Sequence, residues 1–329
     1  MKASILHGLG AGLPMDMPPY QFRPSEREEI AGRFGEGFLS KATNDLETYA
    51  GRWELSQMEL IPSFSANVLF RCRSRTHGDA VLKIGPLPPE GTIPAEYDAL
   101  RQFGGGGGRI CRVYEADPAR GVLLLERMQP GTSLREEPSL EKRLAVFSEL
   151  FAGMHRPPER RDRFPTYKGW VVRIAEYMEK RDDCAALAKH MRHAREMHLR
   201  LAARYPRKLL LHGDFHHDNI LLGADGRYRV IDLKGVTGDP VFDVPRFLLN
   251  EFGESPDSEL LKKMLRIFAV LEQSLRIPGD VLRQCLYVET AMGACWMAED
   301  GAGPDECAKL LTHVEFAEAL LESDRIRSG

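Results

Sequence analysis

The sequence predicts an α+β protein of two lobes, a small antiparallel sheet followed by a mainly helical body. Three observations carry this prediction. The chain has 329 residues, enough for two lobes with a sizeable core. Between Trp53 and Met128, apolar residues recur in short alternating runs separated by tight turns, the pattern of antiparallel strands. After Pro130-Gly131 the period lengthens and long amphipathic stretches take over. The chain therefore divides into an N-terminal arm with helices (1–52), a sheet-rich lobe (53–128) and a helical lobe (129–329).

Residues 1–40 carry Pro14, Pro18, Pro19, Pro24 and scattered glycines, and read as a loosely structured arm with a short helix from Ser25. A second helix is expected over 44–52. Strands are expected at 54–61 and 67–73, around the turn 62–66, and at 79–84 after Thr76-His77-Gly78. A helix follows over 92–103, with Thr92 as its candidate cap and Ala95, Ala99, Leu100 and Phe103 on one face. Strands at 110–114 and 122–127 complete the sheet. Helices are expected at 140–155, 170–204, 258–275, 279–298 and 305–325. The irregular segment 209–245 interrupts them, with strand-like runs at 220–222 and 228–231 joined by Ala224-Asp225-Gly226.

Composition narrows the function classes. Lys+Arg is 45 against Asp+Glu 48, a net charge of -3, which argues against a dedicated nucleic-acid binder. No apolar run is long enough to span a bilayer, so no membrane partner is expected. The start of the chain lacks the long apolar core of a secretory leader, and we expect a cytoplasmic protein. The six cysteines form no C-x-x-C motif and read as reduced, mostly buried thiols. Charge is uneven: residues 156–208 hold net +8, and residues 251–329 hold net -7. Most of these charges belong on solvated helix faces, but an acidic tail can also attract a cationic substrate. Oligomeric state is not legible.

The densest polar cluster is His212-Gly213-Asp214-Phe215-His216-His217-Asp218-Asn219, followed by Asp232 at the end of an apolar run. Asp214 and Asn219 have the H-x-D-x-x-x-x-N spacing of a kinase catalytic loop. Such a loop presents a carboxylate to an attacking hydroxyl and an amide oxygen to Mg²⁺, and a second carboxylate, here Asp232, completes the metal site. Three rival readings fit less well, the plainest being a loop of solvated histidines, which leaves the Asp, Asn and Asp in kinase order unexplained. A two-metal phosphoesterase needs further downstream histidines, and only His313 follows. A zinc site at His212, His216 and His217 lacks a fourth ligand.

Lys83 sits in the middle of the third predicted strand among apolar neighbours. A buried ammonium needs a partner, and Glu96, thirteen residues on, is the candidate. Paired in this way, Lys83 reaches the non-transferred phosphates of a nucleotide. The run Gly104–Gly108 is not followed by Lys-Ser/Thr and is read as a flexible turn rather than a phosphate loop. The turn that should cover the phosphates, 62–67, has no glycine, leaving Ser63 or Ser65 and backbone N–H groups to serve.

These residues resemble the aminoglycoside phosphotransferase family, small-molecule kinases with a protein-kinase-like two-lobe fold. The similarity runs from about Trp53 to Asp300 and is greatest to its streptomycin 6-phosphotransferase and hydroxyurea phosphotransferase branch. It is carried by Ala80-Val81-Leu82-Lys83, by 123–134, by 211–222, by 231–243 with its Asp-x-Lys-Gly and Gly-Asp-Pro strings, and by Trp296 to Gly301. The resemblance implies ATP and Mg²⁺ as cofactors. It makes Asp214 the catalytic carboxylate, Asn219 and Asp232 the metal ligands, and Lys83 with Glu96 the phosphate-binding pair. Glu126 to Met128 become the hinge that bonds adenine. Asp239 and Asp243 are expected to be structural, Asp243 as the cap of a helix starting near Val244-Pro245.

The expected acceptor is a hydroxyl of a small polar molecule, best an aminoglycoside such as streptomycin. A cationic acceptor would call for carboxylates, and Glu299 and Asp300 beside Trp296 are the candidates. Alternatives are a metabolic kinase of choline, homoserine, sugar or fructosamine type, or a non-catalytic nucleotide-binding module, since a fold alone does not select a substrate.

Overall fold

The computed structural model describes residues 19–64, 66–87, 91–104, 109–253 and 256–327. Two helices come first, α1 (Pro24–Phe34) and α2 (Glu36–Arg52), joined at Gly35, whose φ of 87° needs glycine. The short helix expected from Ser25 is α1, and the second helix begins at Glu36 rather than at 44, so the part of the arm from Pro24 on is helical apart from Gly35. Pro24 occupies the first turn of α1, and the Glu26 carboxylate accepts the Arg23 N–H at 2.8 Å. Residues 1–18, where the rest of the arm falls, lie outside the described residues.

The sheet has five strands: β1 (Leu55–Ile61), β2 (Val68–Ser74), β3 (Gly78–Ile84), β4 (Val113–Asp117) and β5 (Val122–Glu126). Their order is β1-β2-β3-β5-β4 and every pairing is antiparallel. Side chains alternate between its faces. On one face Phe70, Ala80, Leu82, Ile84 and Leu124 pack against Ile30, Phe38, Leu39, Ala42 and Leu46 of α1 and α2. The other face carries Val81, Lys83, Leu123 and Leu125 toward helix α3 (Ile93–Phe103) and the interlobe cleft. The fourth strand lies three residues later than expected. Ile110 instead makes a parallel bridge to Val230, and Cys111 N–H bonds its carbonyl at 3.0 Å, tying the lobes together.

The helical lobe contains α4 (Leu140–Ala152), α5 (Tyr167–Met178), α6 (Ala185–Arg204), the short α7 (Pro245–Leu249), α8 (Ser258–Leu275), α9 (Gly279–Glu299) and α10 (Pro304–Arg327). The single helix expected over 170–204 is two helices. Its chain breaks at Lys180–Cys184, where Arg181 Nη1 bonds the carbonyl of Ala298 at 2.7 Å and so pins the turn to α9. The core of this lobe is the inward face of α9, with Leu282, Leu286, Tyr287 and Ala291 fully buried.

The irregular segment is more ordered than its sequence suggests. It forms two small antiparallel ladders, β6 (Leu209–Leu211) with β9 (Val236–Gly238), and β7 (Ile220–Leu222) with β8 (Tyr228–Val230). β6 leads into the polar loop and β7 leaves it. β8 and β9 bracket Asp232. No helix among the described residues is long and apolar enough to cross a membrane.

Candidate active site

The two ladders bring the polar loop (212–219) against the turn at 231–235. Ile231 N–H bonds the Asn219 carbonyl at 3.0 Å, and Lys234 N–H bonds the His212 carbonyl at 2.8 Å. His212 is fully buried between them. Its Nδ1 accepts from Asp214 N–H at 3.1 Å, so its Nε2 carries the proton and donates to the Ile231 carbonyl at 3.0 Å. Burial holds its pKa below the ordinary value, in keeping with this neutral tautomer. Gly213 has φ +81, and a Cβ there would meet Val236 at 2.8 Å and Trp170 at 2.9 Å.

Asp243 has a larger task than a helix cap. It is buried and accepts the N–H groups of His212 at 2.7 Å and Gly213 at 2.8 Å, and its Oδ2 meets His155 Nε2 at 2.9 Å. The residue preceding α7 is Val244, which has no capping side chain. Asp239 does cap, accepting Val241 N–H at the following short turn, and it also binds Arg207 at 2.9 and 3.1 Å.

A cavity of about 530 Å³ opens between the lobes, and Lys83, Glu96, Asp214, Asn219 and Asp232 all line it. Lys83 Nζ lies 2.6 Å from Glu96 Oε2 and 2.5 Å from Asp232 Oδ1. Burial alone would depress this amine, but Asp232 and Glu96 outweigh it and hold the pKa above the ordinary value. Burial likewise pushes the Asp232 carboxyl up, while Lys83 and Lys234 pull it well below the usual carboxylate range. Asp232 itself has φ +56, a left-handed conformation rarely adopted by a residue with a side chain.

Asp214 faces three cationic or ionisable groups: His216 Nε2 at 3.6 Å, Arg246 Nε at 3.4 Å and Lys234 Nζ at 3.6 Å. Burial raises its pKa, but these neighbours prevail and keep it ionised. Asn219 Nδ2 donates to the Asp214 carbonyl at 2.9 Å, which leaves the amide oxygen for a cation. The donor set is hard oxygen, and no group of three His, Cys, Asp or Glu among the described residues is placed to cage a metal. The zinc reading also fails on geometry. His212 is committed to Ile231, His217 to Glu251 at 2.8 Å, and His216 Nδ1 accepts the Asp218 N–H.

Ser63, Glu126 and Met128 also line the cleft. The Glu126 carboxylate is engaged by Arg112 at 3.3 Å and Arg229 at 3.1 Å, which leaves hinge backbone rather than this side chain to face a base. Ser65 lies outside the described residues, as do 105–108 of the glycine run.

The three acceptor candidates do not line the cleft. Glu299 is held by Arg173 at 2.6 and 2.8 Å, and Asp300 lies 3.8 Å from Arg33 of α1. Trp296 stands edge-on to Trp170 at 5.8 Å, with the Arg246 guanidinium over its ring at 5.8 Å. It therefore reaches Asp214 through Arg246.

Sequence reasoning did not assign Lys234 or Arg246. Lys234 bonds Asp232 at 2.6 Å and stands between the two carboxylates. Its signal was the Asp-x-Lys-Gly string. Arg246 joins Asp214 to Glu289 at 2.7 Å, and Glu289 in turn accepts a hydrogen bond from the Tyr167 hydroxyl. No local pattern marks this chain of contacts, because its members come from α5, α7 and α9.

Comparison with known proteins identifies the family. Residues 52–301 match the model of the aminoglycoside/hydroxyurea antibiotic resistance kinase family. A hydroxyurea phosphotransferase of Kitasatospora aureofaciens is 29% identical, over 91% of this chain and 85% of that protein. A streptomycin 6-kinase of Streptomyces glaucescens is 23% identical, over 82% and 88%. Among solved structures, a choline kinase from Streptococcus pneumoniae superposes with a TM-score of 0.60 at 14% identity, covering 86% of this chain and 99% of that one. An aminoglycoside phosphotransferase bound to ADP and hygromycin B gives 0.56 at 15% identity, covering 84% and 97%. These two share the protein-kinase-like fold with the present chain. The protein belongs to the aminoglycoside/hydroxyurea antibiotic resistance kinase family and is a phosphotransferase acting on a small molecule.

Proposed function

We propose that the protein transfers the γ-phosphoryl group of ATP, with Mg²⁺, to a hydroxyl of a small polar antibiotic. The observation that carries this is the convergence of Lys83, Asp214, Asn219 and Asp232 on one interlobe cavity. The cavity falls within the size range of small-molecule and cofactor sites. Mg²⁺, when bound, would neutralise charge between the phosphates, with Asp232 and the Asn219 oxygen as its protein ligands.

The chain's own groups divide the remaining tasks. Lys83, oriented by Glu96, supplies positive charge to the phosphates that are not transferred. Asp214 accepts a hydrogen bond from the acceptor hydroxyl and orients it for in-line attack. Its low basicity is tolerable because phosphoryl transfer depends mainly on positioning and charge neutralisation, and the proton can leave late. Lys234, between Asp214 and Asp232, offsets charge on the moving phosphoryl group. Arg246 fixes the Asp214 carboxylate from behind.

Two acceptor classes follow from the relatives. An aminoglycoside such as streptomycin is the first reading. A compact neutral acceptor such as hydroxyurea is the second, and one feature favours it: Glu299 and Asp300, the carboxylates expected to hold a cationic acceptor, do not line the cleft and are each met by an arginine. The deciding experiment supplies γ-labelled ATP and Mg²⁺ with streptomycin, hydroxyurea or choline and follows label into the acceptor. Label in streptomycin or hydroxyurea supports the reading and chooses between its forms. Label in choline alone replaces both.

A further inference from the structure

The helical lobe holds a second cavity of about 520 Å³, similar in size to the cleft and sharing none of its residues. Its apolar wall is Tyr167, Leu199, Tyr205 and Phe242. Leu199 is 39% exposed, one of few large apolar side chains so placed among the described residues. An exposed leucine beside aromatic rings in a concavity is the lining of a ligand pocket rather than of an ordinary surface.

The unpaired charges on its wall have one sign. Arg207 is taken by Asp239, but Lys168 and Lys208, also on the wall, have no ion-pair partner among the described residues. Both belong to the stretch 156–208, which carries net +8. His198 lines the same cavity, is fully buried, and has no hydrogen-bond partner at either ring nitrogen. Its ring packs between Tyr167 at 5.3 Å and Phe242 at 4.6 Å. A buried imidazole without a partner is costly, and a small shift of the ring toward the cavity would let a polar ligand atom supply what it lacks.

We infer that this cavity is a binding site for a small organic anion with an apolar, ring-containing body. Lys168 and Lys208 hold the acidic group, Leu199 and the aromatic wall cover the body, and His198 bonds one polar atom. The site is independent of the phosphotransfer reading. It adjoins the chain of contacts behind the cleft, because Tyr167 of its wall is the residue that bonds Glu289.

The test uses 8-anilinonaphthalene-1-sulfonate, an aromatic sulfonate whose fluorescence reports apolar surroundings, with the full-length protein. We expect one molecule bound per chain, retained when ADP·Mg²⁺ saturates the cleft. The double variant Lys168→Glu/Lys208→Glu should bind about tenfold more weakly, the loss expected for two ion contacts. Lys262→Glu, an exposed charge reversal on α8, should bind as the unaltered protein does. In protein labelled with ¹⁵N-histidine, the sulfonate should move the His198 ring resonances. The uncharged N-phenyl-1-naphthylamine should bind far more weakly. Displacement by nucleotide, equal binding by the double variant, an equal loss in Lys262→Glu, an unmoved His198 signal, or equal affinity for the uncharged analogue would each overturn the assignment. Thermal midpoints of the variants separate loss of the site from loss of the fold.

Discussion

Lys83 and Asp232 stand 149 positions apart along the chain, yet the ammonium Nζ of one lies 2.5 Å from the carboxylate Oδ1 of the other. A single contact thus joins the middle of the sheet to the turn after β8, within the cleft between the lobes.

Lys83→Met leaves Glu96 buried with no cation. Breaking a buried ion pair from one side costs about 3–5 kcal/mol, and urea denaturation should show a loss of that order. Adding Glu96→Gln should recover much of the stability, because the stranded charge is gone. Neither variant should regain phosphotransfer.

Asp214→Ala and Asp232→Ala should fail differently. The first removes the group that orients the acceptor, and kcat should fall by about 10²–10⁴-fold while ATP·Mg²⁺ still binds. The second removes a metal ligand, and calorimetry should show nucleotide binding that no longer responds to Mg²⁺. A magnesium response preserved in Asp232→Ala would remove that residue from the metal site.

The pH dependence of kcat/KM tests Arg246. Burial works against the Asp214 charge, but His216, Arg246 and Lys234 hold its pKa below the ordinary carboxylate value. Asp214 is therefore ionised throughout the working range, and the unaltered enzyme should show no acid limb from it near neutrality. Arg246→Gln withdraws one of these cations, so the limb should move upward in pH. An unmoved limb would assign Arg246 to holding Glu289 and Trp296 rather than to Asp214.

Asp243→Ala strands the N–H groups of His212 and Gly213 inside the protein. We expect a loss of about 3 kcal/mol, read by denaturant midpoint. The kcat should drop with little change in nucleotide affinity, because the loop bearing Asp214 loses its anchor while Lys83 and Asp232 keep theirs.

His198 makes stability depend on pH. Burial lowers its pKa to about 4 from the ordinary 6.5, with Lys168 adding to the effect. A lowered folded-state value means that the unfolded chain binds the proton more readily. The contribution is therefore whole above pH 6.5 and is lost as pH falls from 6.5 toward 4, by about 3 kcal/mol at most. His198→Phe should flatten the stability profile over that interval.

Several of these features can be read without coordinates, for a physical reason. Strands bounded by short polar turns and amphipathic helices such as α8 are encoded by local periodicity. Asp214, Asn219 and Asp232 lie within one short segment, so their spacing is itself a signal. Helices α1 and α2 are legible from Ser25 and over 44–52 but not over 36–43, where Gly35 and Gly37 interrupt the pattern. They are held by burying Ile30, Phe38, Leu39 and Leu46 on the sheet, a tertiary term absent from any window of sequence. The break between α5 and α6 escaped because no glycine or proline marks it; an arginine reaching α9 makes it. Arg246, Glu289 and Tyr167 come from three separate helices, and only folding brings them together.

The helical layer over the outer face of the sheet bears on how this protein can be produced. Residues 24–51 precede the family-matched portion, and an expression plasmid cut to that match would omit them. Phe70, Leu82, Ile84 and Leu124 would then meet water on a broad apolar sheet face. Such a fragment should collect in inclusion bodies even though every reactive side chain is still encoded.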